Sequence, residues 1–203
     1  MVYNPQEEYR ESSIQHSQSM ILQLHSELPL LPNLPYPQQV AYHNSRIVLC
    51  LHSSTMARTN SFLLAELPGQ QYQLTACRSP PFDYTVSQAT SISIADPVPD
   101  HQISVKRGMP LILLDNTGHE EHLEMGTRLL LIAVTSNSLT VKPLTGSTQG
   151  LNVTLHRLTY VPQNQRACAT HTSFSQFPVA AAFAVPMHDK YYDFPALHIS
   201  YSP

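Results

Sequence analysis

Ile103 and Val105 alternate with Ser104 and Lys106, the period of a half-buried strand. Gly108 breaks that run, and Met109-Pro110 leads into Leu111-Ile112-Leu113-Leu114, a run without alternation that predicts a strand buried on both faces. Asp115, Asn116 and Gly118 carry turn chemistry. After an acidic loop, Gly126-Thr127-Arg128 opens a further apolar run from Leu129 to Val134. Leu139–Val141 and Leu151–Leu155 follow, separated by turn residues at Ser136-Asn137 and Thr145-Gly146-Ser147. Short strands with this punctuation predict a small β-barrel over about 101–162.

The flanks read differently. Ile14, Ile21, Leu24 and Leu28 fall near one face of a helix expected over about Glu7–Leu28. Pro29, Pro32, Pro35 and Pro37 then predict an extended, polyproline-like spacer, which closes an N-terminal segment of residues 1–45. Ile47–Leu51 is a β-rich run. Ser53, Ser54 and Thr55 are set to cap a helix from about Met56 to Leu67, and Pro68-Gly69 stops it. Gln70–Ala76 is a candidate strand. Arg78–Asp100, rich in Ser, Pro and Asp, reads as a long connection, and Phe174–Val185 returns to an apolar strand. Helix, strand and barrel together give a mixed α/β class.

The 203 residues suffice for one domain or two small ones. The net charge of −3 excludes a generally basic nucleic-acid binder. The distribution qualifies this, because from Met125 to His188 the basic residues Arg128, Lys142, Arg157 and Arg166 meet no Asp or Glu. That stretch is either a modest phosphate footprint or chance clustering in a weakly charged chain. Cys50, Cys77 and Cys168 are widely spaced and odd in number, which fits reduced intracellular thiols. No run approaches the ~18 apolar residues of a membrane span, so no membrane partner is expected.

Lys106, Gly108, Pro110, Leu111–Leu114, Asn116 and Gly126-Thr127-Arg128 resemble the 2B domain of the Pif-type (Helitron-like) DNA helicases, with Met125 where that family has Asn. Downstream, Leu144-Thr145-Gly146 with Gly150, then Gln176-Phe177-Pro178-Val179 with Ala182-Phe183-Ala184, continue the resemblance in order and spacing. Arg46–Asn60 is similar, more weakly, to the strand and helix before the 2B insertion. The resemblance covers about Arg46 to His188. It implies a Src-homology-like small β-barrel (101–162) inserted in an incomplete RecA-like second motor domain, with residues 46–100 before it and a degenerate return over 163–203. It also implies an ATP- and Mg²⁺-dependent, 5′-to-3′ DNA helicase ancestry linked to replication, repair, recombination, telomere maintenance or transposition. Nucleus, single-stranded DNA and a separate motor domain follow as expected compartment and partners.

The departures matter. Leu51-His52-Ser53 stands where the family has Pro-Thr-Asn, and the Ser-Gln-Gly expected after His188 is missing. None of the six Gly (Gly69, Gly108, Gly118, Gly126, Gly146, Gly150) precedes a Lys, so the phosphate-cradling Gly-Lys-Ser/Thr is absent and no cofactor is expected on this chain. ATP hydrolysis by the chain alone is therefore not expected. His119-Glu120-Glu121-His122, near Glu124, lacks the four-residue His spacing of a zinc helix. The expected nucleic-acid contacts are Arg128, Lys142, Arg157 and Arg166, with Tyr160, Phe174 and Phe177 as stacking candidates. Two plainer roles stand beside these, core packing for Phe177 and a backbone-holding role for Arg128. The rival function is a small barrel that binds another protein and is tethered by the proline-rich segment.

Overall fold

A computed structural model describes residues 18–78, 92–93, 98–116, 123–160, 173–186 and 198–201. These fall into two compact units. One takes the residues up to Pro68 and those from Phe183 onward, and the other takes Gly69 to Ala182. The second unit is wider than the 101–162 span read as a barrel, because strands on both sides of that span pair with strands within it.

In chain order the first unit begins with helix α1, described over residues 18–24. A 3-10 helix, Leu28–Asn33, and helix α2, Tyr36–Asn44, occupy the proline-rich segment that the sequence reading made an extended spacer. The prolines sit where little is lost. Pro29 lies in the first turn of the 3-10 helix, Pro35 is the N-cap of α2 and Pro37 is in its first turn, positions where an amide N–H would lack an intrahelical partner. Pro32 forgoes one bond inside the 3-10 helix. Leu28 and Leu31, three apart and therefore eclipsed on a 3-10 turn, are both fully buried, and this burial holds the segment helical.

Strand β1 (Ile47–Cys50) and helix α3 (Ser53–Glu66) follow. The helix starts at Ser53 itself, with His52 as an N-cap that makes no side-chain bond. The Ser53-Ser54-Thr55 cluster therefore lies within the first turn and does not cap it. Thr55, Thr59, Asn60, Leu63 and Leu64 form its buried stripe. The helix ends at Glu66, because Leu67, the residue before Pro68, is extended at ψ 125°, and Gly69 follows at φ +106. The unit closes with β13 (Ala184–Pro186) and β14 (His198–Tyr201). Both pair parallel with β1, giving the sheet order β13-β1-β14.

The second unit is antiparallel in the main. Its strands are β2 (Gln71–Thr75), β3 (Cys77–Arg78), β4 (Ile92–Ser93), β5 (Gln102–Lys106), β6 (Pro110–Leu113) and β7 (Arg128–Val134). They continue with β8 (Ser138–Pro143), β9 (Val153–His156), β10 (Leu158–Tyr160), β11 (Phe174–Gln176) and β12 (Val179–Ala181). Five form a meander of order β12-β6-β7-β8-β9, with a bulge between Leu131 and Ala133. Strand β2 pairs with β5, and β3-β11-β10-β4 form a third group. Strand β6 is buried at every position, as its unbroken apolar run requires. Gly108, at φ +84, turns β5 sharply into β6, and Met109 N–H closes the turn on Lys106 O at 3.2 Å. Among the described residues no sheet closes on itself.

Two expectations are refined. The apolar run 174–185 is three short strands, β11, β12 and β13, each in a different sheet, because Phe177-Pro178 and Ala182-Phe183 redirect the backbone between them. Strand β10 follows β9 after a single residue, Arg157, and belongs to another sheet.

Candidate nucleic-acid interface

Arg128 opens β7 opposite Ile112 of β6 and is only 6% exposed. Its Nη2 donates to Ala182 O at 3.4 Å. Burial pushes its pKa down to about 10, so the guanidinium remains charged at neutral pH. Arg157 is also turned inward. Its Nη1 lies 2.9 Å from Thr75 O, 3.3 Å from Ser175 O and 3.0 Å from Gln176 Oε1, and the guanidinium stands 4.5 Å over the Phe177 ring. Lys142 occupies an outward position of β8, half-buried, alongside Ser138 and Thr140. Across the β8–β9 pairing, Thr154 and His156 are exposed on β9 in register with Thr140 and Ser138. Arg166 lies outside the described residues. Of the four basic residues that form one stretch in sequence, three are described. Two hold carbonyls within the second unit, and Lys142 stands on a hydroxyl-rich sheet face.

The aromatic candidates are interior. Tyr160 is 1% exposed and Phe174 7%, their rings stacked at 5.6 Å, and Phe177 is fully buried beneath Arg157. With Leu158 and Ala76 the first two form one apolar cluster. The Tyr160 hydroxyl has no hydrogen-bond partner among the described residues. Burial first, and the Asp115 carboxylate second, raise its ionisation well above the usual tyrosine range. Against Phe174 sits His101, exposed, its ring centroid 4.4 Å from the phenyl centroid.

Three residues carry structural roles that residue-type patterning did not single out. Gln176, fully buried, donates from Nε2 toward Leu74 O (3.1 Å), Asp100 O (3.1 Å) and His101 O (3.2 Å), and Oε1 accepts from Arg157 and from Phe177 N–H at 3.0 Å each. Asn60 clamps the backbone of β13 in the first unit, donating to Ala184 O at 2.9 Å and accepting from Ala184 N–H at 2.8 Å. His101 is the third. The available signal was a polar residue inside an apolar run, as at Phe174-Ser175-Gln176-Phe177, because a buried amide must find partners.

No Gly precedes a Lys anywhere in the sequence, and among the described residues no three His, Cys, Asp or Glu side chains converge as a metal site. His119 and His122 fall outside the described residues, as does Cys168; Cys50 is buried and Cys77 exposed. No helix among the described residues is long and apolar enough to cross a membrane.

No protein-family model and no curated protein matches this chain. Solved structures do. Bacteroides sp. Pif1 in complex with ADP-AlF4 superposes with a TM-score of 0.53 at 17% identity, covering 90% of this chain and 42% of that one. The Pif1 helicase of Candida albicans gives 0.54 at 12% identity, covering 84% and 44%. A structure of two coordinating Pif1 helicases at forked double-stranded DNA gives 0.52 at 15% identity, covering 83% and 37%. The chain therefore spans less than half the length of these helicases, and over that span it is similar to them in fold, mixed α/β in class.

Proposed function

We propose that this chain is a truncated or degenerate relative of the Pif-type helicases, and that its role is to contact single-stranded DNA without its own ATP site. In this reading the first unit is part of a RecA-like second motor domain, and the second is the 2B accessory domain, a small Src-homology-like barrel. In this reading the nucleotide chemistry belongs to motor residues outside these 203.

The observation that carries this reading is the insertion. Ala184 lies 124 positions beyond Asn60, yet its backbone is clamped by that residue and paired in parallel with β1. The chain between them folds as an independent set of mainly antiparallel strands. An antiparallel module returned into a parallel sheet is what the motif order implies. Bacteroides Pif1, which shares the fold, has been solved bound to single-stranded DNA.

The test is fluorescence anisotropy of the full chain with a labelled single-stranded oligonucleotide over a salt series. A steep inverse dependence on salt is expected, and Lys142→Ala should lower the slope by about one. No binding at low salt, or binding insensitive to salt, overturns the proposal.

A further inference from the structure

We infer that His101 and Arg78 form a base-stacking step on the second unit, with His101 as the platform on which one base of a single strand rests. The inference rests on the single-stranded DNA reading and specifies where a base, as distinct from a phosphate, is held.

Phe174 is in contact with two other rings. Tyr160 is buried and stacked on Phe174 with an interplanar angle of 26°. Phe174 is nearly buried, and the His101 ring lies against it at 4.4 Å and 38°. His101 itself is exposed, so its ring is backed by aromatic carbon while the residue is open to solvent. Such a ring is pre-organised. Its contact with Phe174 is already made and its backbone is fixed, since His101 O accepts from Ala76 N–H at 2.7 Å and from Gln176 Nε2 at 3.2 Å. A base that stacks on it therefore meets a surface whose ordering is complete before binding.

The neighbourhood supplies a cation. Arg78, exposed, is the register partner of Phe174 across β3–β11, and its charge is therefore carried beside these rings. Arg78 is placed to meet a phosphate while the His101 ring meets the base. Stacking is indifferent to base identity, since every base presents a π-face. The ligand class is thus an unpaired nucleotide of any sequence.

The full chain is titrated with two labelled oligomers of equal length, one of deoxythymidine and one abasic. The parent should prefer the base-bearing strand by about 5- to 160-fold, the range of one stacked base. His101→Ala should remove that preference and His101→Tyr should keep it. Arg78→Ala should lower the salt slope by about one and leave the preference in place. His101→Ala retains the carbonyl that Ala76 and Gln176 use, so an unchanged circular dichroism spectrum is expected beside the binding data. If the parent binds both oligomers equally, or His101→Ala keeps the preference, the stacking step is refuted while DNA binding stands. If the parent binds neither, the DNA reading falls and the inference with it.

Discussion

Replacing Gln176 by Leu preserves volume and removes every polar contact of a fully buried amide. The consequences separate by partner. Phe177 N–H loses Oε1, its 3.0 Å acceptor, and is left buried at an orphaned donor's cost of ~1–3 kcal/mol. His101 O keeps the Ala76 N–H and loses little. Asp100 O and Leu74 O each lose a donor, for about 0.5–1.5 kcal/mol apiece. Arg157 loses one of three acceptors and retains Thr75 O and Ser175 O. The sum is roughly 2–6 kcal/mol, a large share of the ~5–15 kcal/mol that holds a domain together. For a chain of this size that lowers the melting temperature by about 4–24 °C. Gln176→Glu makes a sharper comparison. It keeps both accepted bonds but turns an oxygen toward three carbonyl oxygens, and it should also destabilise despite the nearby Arg157. The assay is thermal melting followed by far-ultraviolet circular dichroism, with hydrogen exchange read in peptides that cover Phe177. A shift of less than ~2 °C in Gln176→Leu, with protection at Phe177 intact, would refute the view that this amide joins β2, the residues before β5, and β11.

Asn60→Leu should cost about 2–4 kcal/mol by leaving both backbone groups of Ala184 without the amide, and Asn60→Asp should recover only the accepted bond; urea denaturation checks both. Tyr160→Phe removes a buried hydroxyl with no hydrogen-bond partner among the described residues, so it should be neutral or stabilise by up to ~1 kcal/mol, and a loss beyond ~1 kcal/mol would contradict that accounting. Burial raises the ionisation of both Tyr42 and Tyr160 above the usual tyrosine range; for Tyr42, Arg46 partly offsets this and Glu27 adds to it. Because the folded pKa lies above the unfolded value, the stability these groups contribute is complete below about pH 10 and lost above it, and in a tyrosinate absorbance titration these two should ionise late. Arg157→Ala should lower the melting temperature of the chain, because the carbonyls of Thr75 and Ser175 and the Gln176 amide oxygen lose a donor.

Strands with one dominant pattern were legible in the sequence. The unbroken apolar run at Leu111–Leu114 became the fully buried β6, and the alternation at Ile103 and Val105 became β5 with those two residues buried. The proline-rich segment misled because Pro constrains single positions while burial constrains whole turns. Once Leu28 and Leu31 are covered, a 3-10 helix that avoids most donor losses is preferred to an extended spacer. The single apolar run from Phe174 to Val185 could not reveal three strands, since hydrophobicity reports burial and not which sheet buries it.

The same limit applies to charge. A stretch from Met125 to His188 without an acid looks like a surface field, yet a guanidinium can be satisfied by carbonyl oxygens as well as by phosphates. Arg128 and Arg157 take the former course, one at the start of β7 and the other at the single-residue step between β9 and β10. At that step the backbone leaves one sheet for another, and Arg157 donates to the carbonyls of Thr75 and Ser175 on two other strands. An acid in this stretch would compete for those guanidinium groups, so its absence is consistent with internal carbonyl binding as readily as with DNA. Net charge along a segment therefore underdetermines a nucleic-acid surface. The discriminating quantity is how many of the cations reach solvent: in the second unit Arg78 and Arg107 are exposed and Lys142 is half-buried on β8, so the DNA reading turns on these three.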